Sequence, residues 1–318
     1  MSLITALSQL FSKSESKHLS GVSIGQTAIS LCVMPDKADS EKVNFLNKPL
    51  SVNLSQNGQP DVAINAVADT LNHLITSQEI TGQCQVIIPS SHYQIVQIDK
   101  PNVPDAEIVA ALKWQVKDLV SINVDDMIVD YFDGPTLAGG ATKLNVVCAS
   151  KSFLAGLVNT AAKNDLQIKM ISTEEFAFAS LLTVQDEAVL LVCQQPNEEI
   201  VLMIVKQGKL YFHRRLRGFA QIAQQSEQQL ALGTVDSLSL EIQRSTDYFE
   251  RQLKQSPIKD IQVIVPMDNE LLLVEKLAAN THIPVHLMPL PVENAQQRQY
   301  ATAFGATQLS KMEKCYDE

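Results

Sequence analysis

The sequence predicts an α/β protein made of two similar halves, and three observations predict it. Short runs rich in aliphatic and β-branched residues alternate with longer amphipathic stretches along the 318 residues. Each half opens on paired antiparallel strands, at 21–33 and again at 188–206, and helices follow both. A hydrophobic content of 45% against 19% charged residues is that of a chain with packed cores, and the length suffices for two of them.

Residues 1–18 carry Leu3, Ile4, Leu7, Leu10 and Phe11 at helical spacing. This amphipathic segment either packs on the body or touches a partner or a membrane surface, and both readings stay open. A strand hairpin is expected at 21–33, a strand broken at Pro49 within 43–54, and a helix at 61–74 with Val62, Ile64, Val67, Leu71 and Leu74 inward. A buried strand at 83–89 follows, then a strand at 93–98 that runs into a turn between Pro101 and Pro104. The next helix starts at Pro104 or Asp105, and Asp105 and Glu107 suit its positive N-terminal end. Its apolar stripe reads Ile108, Ala111, Leu112, Val116 and Leu119. A strand alternating through Met127, Val129 and Tyr131, a turn at 134–142, a strand at 144–148 and a helix at 151–164 complete this region. In the second half, Glu174 and Glu175 open a helix within 170–182. Strands are expected at 188–193, 200–206 and 210–216, the last two joined at Gln207-Gly208. The tract 221–229 is polar, an exposed helix or loop.

Composition excludes several functions. A net charge of -10 argues against a nucleic-acid surface, and the basic run at 213–217 reads as a solvated strand end. Cys32, Cys84, Cys148, Cys193 and Cys315 form no C-x-x-C pair and suit a reducing compartment. Apolar runs such as 200–205 fall far short of the roughly 18 residues that span a bilayer. No signal peptide is visible, so a cytoplasmic chain is expected. The six histidines are dispersed, and Pro284 separates His282 from His286, so no metal site is expected. Asp125-Asp126 and Glu174-Glu175 are not placed for paired acid–base work, and Gly139-Gly140 lies in a turn, not a dinucleotide loop. No catalytic residue is assigned.

One stretch is more specific. Glu107-Ile108, Ala110-Ala111-Leu112, Trp114-Gln115-Val116 and Asp130-Tyr131, after a strand ending near proline, resemble the insertion subdomain of PilM. PilM is the actin-like inner-membrane platform protein of type IV pili. Four more segments carry the resemblance: 172–177 (STEEFA), 208–218 (G-x-L-x-F with Arg214 or Arg215 and Gly218), 241–249 (EIQRSTDYF) and 301–305 (ATAFG). Within the family, the helix KWQVKDLV at 113–120 is similar to that of the MSHA-pilus branch.

The resemblance covers about 21–305 and implies a bilobed actin-like (ribonuclease H-like duplicated) fold. The first lobe is expected at 19–90, an insertion at 91–168, the second lobe at 169–305 and a tail at 306–318. It implies a non-catalytic scaffold that receives the cytoplasmic tail of a bitopic PilN-like inner-membrane protein, in a groove between first lobe and insertion. Membrane association is then indirect, and the chain sits in the cytoplasm peripheral to the inner membrane as part of the pilus assembly platform. Trp114, Leu119 and Tyr131 are the expected partner-binding residues. Trp114 stands off the centre of the apolar stripe, so it either packs under the insertion or anchors the partner.

The phosphate and metal loops depart from the pattern. Actin-like ATPases hold Mg²⁺ and phosphates with D-x-G loops, the acid serving the metal shell and glycine admitting phosphate to backbone N–H groups. The first loop here reads Ser23-Ile24-Gly25 with Ser30 in place of a basic residue. The second reads Gln194-Gln195-Pro196-Asn197, and Pro196 lacks the N–H a phosphate needs. The third, S-G-G under the adenosine, becomes Val265-Pro266-Met267-Asp268. No cofactor is expected, although residual ATP binding without Mg²⁺ chemistry stays open. Two alternatives remain: an actin-like nucleotide-binding ATPase or switch with diverged loops, and the cytoplasmic domain of a type II secretion platform.

Overall fold

The computed structural model describes residues 19–34, 43–56, 60–136, 142–290 and 295–310. The expected N-terminal segment 1–18 and the end of the tail, 311–318, lie outside the described residues. The chain divides into two compact units. One takes in residues up to 134, residues 142–177 and residues 302–309, and the other is built on residues 178–301.

The first unit contains β1 (Leu19–Ile24), β2 (Ala28–Val33), β3 (Asn44–Pro49), α1 (Pro60–Ser77), β4 (Gly82–Ile87), β5 (Tyr93–Asp99), α2 (Ile108–Val116), β6 (Met127–Thr136), β7 (Thr142–Ser150), α3 (Lys151–Lys163), β8 (Leu166–Ser172) and the start of α4 (Glu174–Ala179). Its main sheet runs β3-β2-β1-β4-β8. β1, β2 and β3 are antiparallel, whereas β4 and β8 pair in parallel, each reached through a helical crossover. The second unit contains β9 (Val189–Cys193), β10 (Val201–Lys206), β11 (Lys209–Arg215), a single turn α5 (Glu227–Gln229), α6 (Val235–Asp247), β12 (Asp260–Ile264), α7 (Glu270–Ala279) and β13 (Val285–Leu287). Its sheet runs β11-β10-β9-β12-β13 with the same pattern of antiparallel and parallel pairs. Two sheets with one strand order and one sense of pairing are the duplication expected from the sequence.

The Gln207-Gly208 turn closes β10 onto β11 with both residues at positive φ, the backbone that matches the twist of a two-residue hairpin. β9 and β10 are buried along their whole lengths, except for Lys206 at the end. Leu190, Val192, Leu202 and Ile204 meet Leu238, Ile242 and Phe249 from the helical layer in the core of this unit.

The sequence reading needs three corrections here. β8 was not expected as a strand. Its pairing with β4 shifts register between Cys84 and Gln85, which breaks the alternation of Leu166 and Ile168 before Ile171. Residues 151–172 belong with the first unit, because α3 packs on α1 and β8 joins the first sheet. Residues 302–309, assigned to the second lobe and a tail, return to the first unit in α8 (Ala301–Ala306) and just beyond it. Ala306 and Leu309 pack there against Ile87 and Ala177.

That return is possible only for small residues. A Cβ on Gly21 of β1 would strike the carbonyl oxygen of Ala303, and a Cβ on Gly305 would strike that of Ala177. Both obstacles are backbone, which has no rotamer with which to give way. Gly305→Ala is expected to cost about 3 kcal/mol, read as a lower denaturant midpoint, whereas alanine at an exposed site such as Lys276 leaves it nearly unchanged.

Candidate functional site

The loop between β1 and β2 is closed by its own hydrogen bonds. Gly25 N–H donates to the Ala28 carbonyl at 2.9 Å, and the carbonyls of Gln26 and Thr27 accept from Leu54 and Leu50 at 2.9 and 2.8 Å. The Gln26 amide donates to Ser90 Oγ at 2.8 Å. Ser23, where the resemblance led an acid to be expected, is buried and shares a 2.8 Å hydrogen bond with Thr302 of α8. Ser30 lies on β2 and accepts a 3.3 Å bond from Asn47.

In the second unit, Gln194 stands where the second acid is expected. Its buried side-chain amide donates to the carbonyls of Glu198 at 2.7 Å and Phe219 at 3.0 Å. Pro196 is partly buried in the turn that follows, and Asn197 takes a positive φ of 61°. The neighbouring Glu199 carboxylate accepts the backbone N–H groups of Gly218 and Phe219 at 3.0 and 2.7 Å.

The third loop leaves β12 at Val265 and passes the partly buried Pro266 before α7. Here a buried ion pair replaces the glycines. Glu270, the first residue of α7, accepts the Val265 N–H at 2.7 Å and pairs with Arg298. Arg298 also donates to the carbonyls of Met288 at 2.9 Å and Val263 at 3.2 Å. Burial raises the Glu270 pKa, while the Arg298 guanidinium and the Val265 N–H work against that rise. The sequence reading missed both residues. Glu270 at the head of an apolar helix carried a weak signal, but Arg298 is 28 positions away and carried none.

The insertion is a three-stranded antiparallel sheet, β5-β7-β6, with α2 on one face. Ile108, Leu112 and Val116 point into a core formed with Met127, Val129, Leu144, Val146 and Cys148. Tyr131 packs at the edge of that core, partly buried. Trp114 lies on the opposite side of α2 with 64% of its surface exposed, so it does not pack under the insertion. The Lys117 ammonium sits 5.9 Å from its ring centre. Leu119 was placed on the buried stripe, but α2 ends at Val116 and turns, leaving Leu119 57% exposed. Trp114 and Leu119 therefore share the exterior, joined by Val109 at 45%, while Tyr131 does not join them.

On the sheet face away from α2, Tyr93 donates its hydroxyl to Glu175 at 2.8 Å, and Phe132 meets Phe176 edge to face at 5.0 Å. Asp130 lies on the same strand face as Phe132 and accepts the N–H of Tyr131 at 2.9 Å. Burial lifts its pKa from 3.8 to about 6. Nearby in sequence, His92 stacks on Phe153 with ring centres 4.0 Å apart, and burial lowers its pKa from 6.5 to about 4. Among the described residues no group of three His, Cys, Asp or Glu side chains is arranged to hold a metal ion. Nor is any helix long and apolar enough to cross a membrane.

No family model matches the chain, and no curated protein is similar to it in sequence. Solved structures are similar in fold. The PilM–PilN type IV pilus biogenesis complex contains a chain with a TM-score of 0.68 and 15% identity, over 92% of this chain and 98% of that one. The ethanolamine utilization protein EutJ of Carboxydothermus hydrogenoformans gives 0.51 and 11%, over 95% and 93%. A Bacteroides thetaiotaomicron protein of actin-like ATPase fold and unknown function gives 0.50 and 12%, over 90% and 96%. The fold is actin-like. Identities this low establish the fold and leave activity to the site itself.

The two shifted groups yield a pH test. Asp130 is more readily protonated folded than unfolded, so its contribution to stability falls as pH rises from about 4 to 6. His92 is less readily protonated folded than unfolded, so its contribution falls as pH drops from 6.5 to about 4. The two slopes oppose each other in one window. Relative to the parent protein, Asp130→Asn should make stability rise more steeply with pH between 4 and 6.5. His92→Phe should tilt it the other way, both read from urea midpoints at fixed ionic strength.

Proposed function

We propose that the chain is a non-catalytic scaffold of a type IV pilus assembly machine, of the MSHA type, that docks the cytoplasmic tail of a PilN-like bitopic inner-membrane protein. One observation carries the non-catalytic reading. At each of the three loops, groups that a nucleotide and its metal would need are replaced or bound internally: Ser23 to Thr302, Gln194 to Glu198 and Phe219, and the Val265 N–H to Glu270. None of Ser23, Gln194 or Pro266 offers a metal an anionic oxygen, and Pro196 offers phosphate no N–H. The scaffold reading draws support from the fold shared with the chain of the PilM–PilN complex across 98% of that chain. The MSHA branch rests on the 113–120 helix. Recruitment to the inner membrane through the partner, from the cytoplasm, belongs to the same proposal.

Within it, Trp114 and Leu119 serve as exterior anchors on α2, and Tyr131 supports the helix from the core below. An exposed Trp is the kind of residue that carries interface energy out of proportion to its number.

Calorimetric titration with Mg-ATP should detect no binding tighter than about 10 μM, and Ser23→Asp should not restore it, because the other two loops remain closed. Saturable Mg²⁺-dependent binding below that threshold refutes the non-catalytic reading and favours the nucleotide switch.

Trp114→Ala should change folding stability by less than about 0.5 kcal/mol, as for other exposed positions. It should weaken a peptide of the PilN-like tail by about thirtyfold, equivalent to about 2 kcal/mol. Unchanged peptide affinity removes Trp114 from the docking surface; as the only Trp of the chain, its fluorescence reports the same event in the parent protein.

A further inference from the structure

Two segments of the second half singled out in the sequence, 208–218 and 241–249, meet in space. Arg214 of β11 pairs with Glu241 of α6, and Arg244, one turn further on, donates to the same carboxylate at 2.7 Å. Phe212 of β11 stacks on Tyr248 with ring centres 5.4 Å apart. Two guanidiniums thus share one carboxylate, which leaves a surplus positive charge at the surface. Arg244 has 59% of its side chain exposed and Arg214 39%. Arg214 Nε is enclosed and has no hydrogen-bond acceptor. Burial, and after it the nearby Arg244, lower the Arg214 pKa. Arg251, by contrast, has its own carboxylate in Asp247 at 3.3 Å.

β11 is also the last strand of its sheet, and among the described residues no strand pairs with its outer edge. Alternate backbone N–H and C=O groups of an edge strand point outward and accept a further strand. We propose that the open edge of β11, with the Arg214–Arg244 pair beside it, binds an extended acidic segment of a partner polypeptide. The segment adds as a sixth strand. Its carboxylates project to the α6 side and meet the two guanidiniums, where paired charge-assisted bonds form. The stems of its acidic side chains lie along Phe212 and Tyr248, the latter 37% exposed, and its apolar residues fall on the opposite face. The complementarity is local, because the chain as a whole carries -10 and repels acidic segments elsewhere. This surface is independent of α2 and of the function proposed above.

The test uses the full chain and a short fluorescein-labelled peptide of alternating Glu and Val, followed by fluorescence anisotropy. The Glu–Val peptide should bind saturably, at least about tenfold tighter than a Lys–Val peptide, and weaken as salt rises. Arg244→Gln should weaken it about tenfold with an unchanged melting temperature. Methylating alternate backbone nitrogens of the peptide, which keeps its charge but blocks strand pairing, should abolish binding. Equal binding of the methylated peptide overturns the strand addition. Equal binding of the Lys–Val peptide, or an Arg244→Gln protein that binds as well as the parent, overturns the site. Self-association of the parent protein that Arg244→Gln abolishes would assign the edge to a second copy of the chain and overturn the proposal.

Discussion

Everything in the first unit depends on how closely α8 can approach β1 and α4. The chain leaves this unit near Ala177, builds the second sheet, and comes back at Thr302. Gly21 and Gly305 let backbone lie on backbone at both contacts, where any side chain would strike a carbonyl. Once that seam is closed, Thr302 reaches Ser23 and Ala306 and Leu309 complete the core around Ile87. A discontinuous unit of this kind gains its last apolar contacts only after a long loop closes, so the seam must be tight enough to offset that entropy.

The same seam bears on chemistry. A carboxylate at position 23 would sit buried beside the Thr302 hydroxyl, a costly place for a charge without a metal. Serine fits there as a neutral donor and acceptor. Gln194 follows the same logic in the second unit, since its amide can donate to two carbonyls where an aspartate could donate to none. At the third loop, the Glu270–Arg298 pair is charged yet enclosed, and it is tolerable because Val265, Val263 and Met288 supply further hydrogen bonds. Ser23, Gln194 and the Val265 N–H are thus each engaged within the protein, which is a stronger condition than the mere loss of ligands.

The insertion shows the converse arrangement. Its core is complete with Ile108, Leu112 and Val116 facing the sheet, so α2 has no structural need of Trp114, Val109 or Leu119. Large apolar groups kept at the surface without a packing role invite an interaction reading. The basic edge of β11 is the electrostatic counterpart, a concentration of cations in an acidic chain.

Much of this was legible in the residues themselves. Period-two and period-3.6 patterns located most strands and helices, and Gln207-Gly208 marked a hairpin because few sequences tolerate two positive φ values in succession. The missing acids at Ser23 and Gln194 could be read directly, since a side chain's chemistry does not depend on its surroundings. Contacts between distant positions could not be read. β8 was hidden because a register shift against β4 breaks its own alternation, and Leu119 looked buried because the stripe continues in sequence after the helix has stopped. The return of 302–309 to the first unit, the pairing of Glu270 with Arg298 and the sharing of Glu241 by Arg214 and Arg244 join residues that local pattern treats as unrelated. Local propensity determines which elements form. Which buried polar group answers which, and which apolar group is left facing water, is decided only when the elements pack, because both are properties of the space between them.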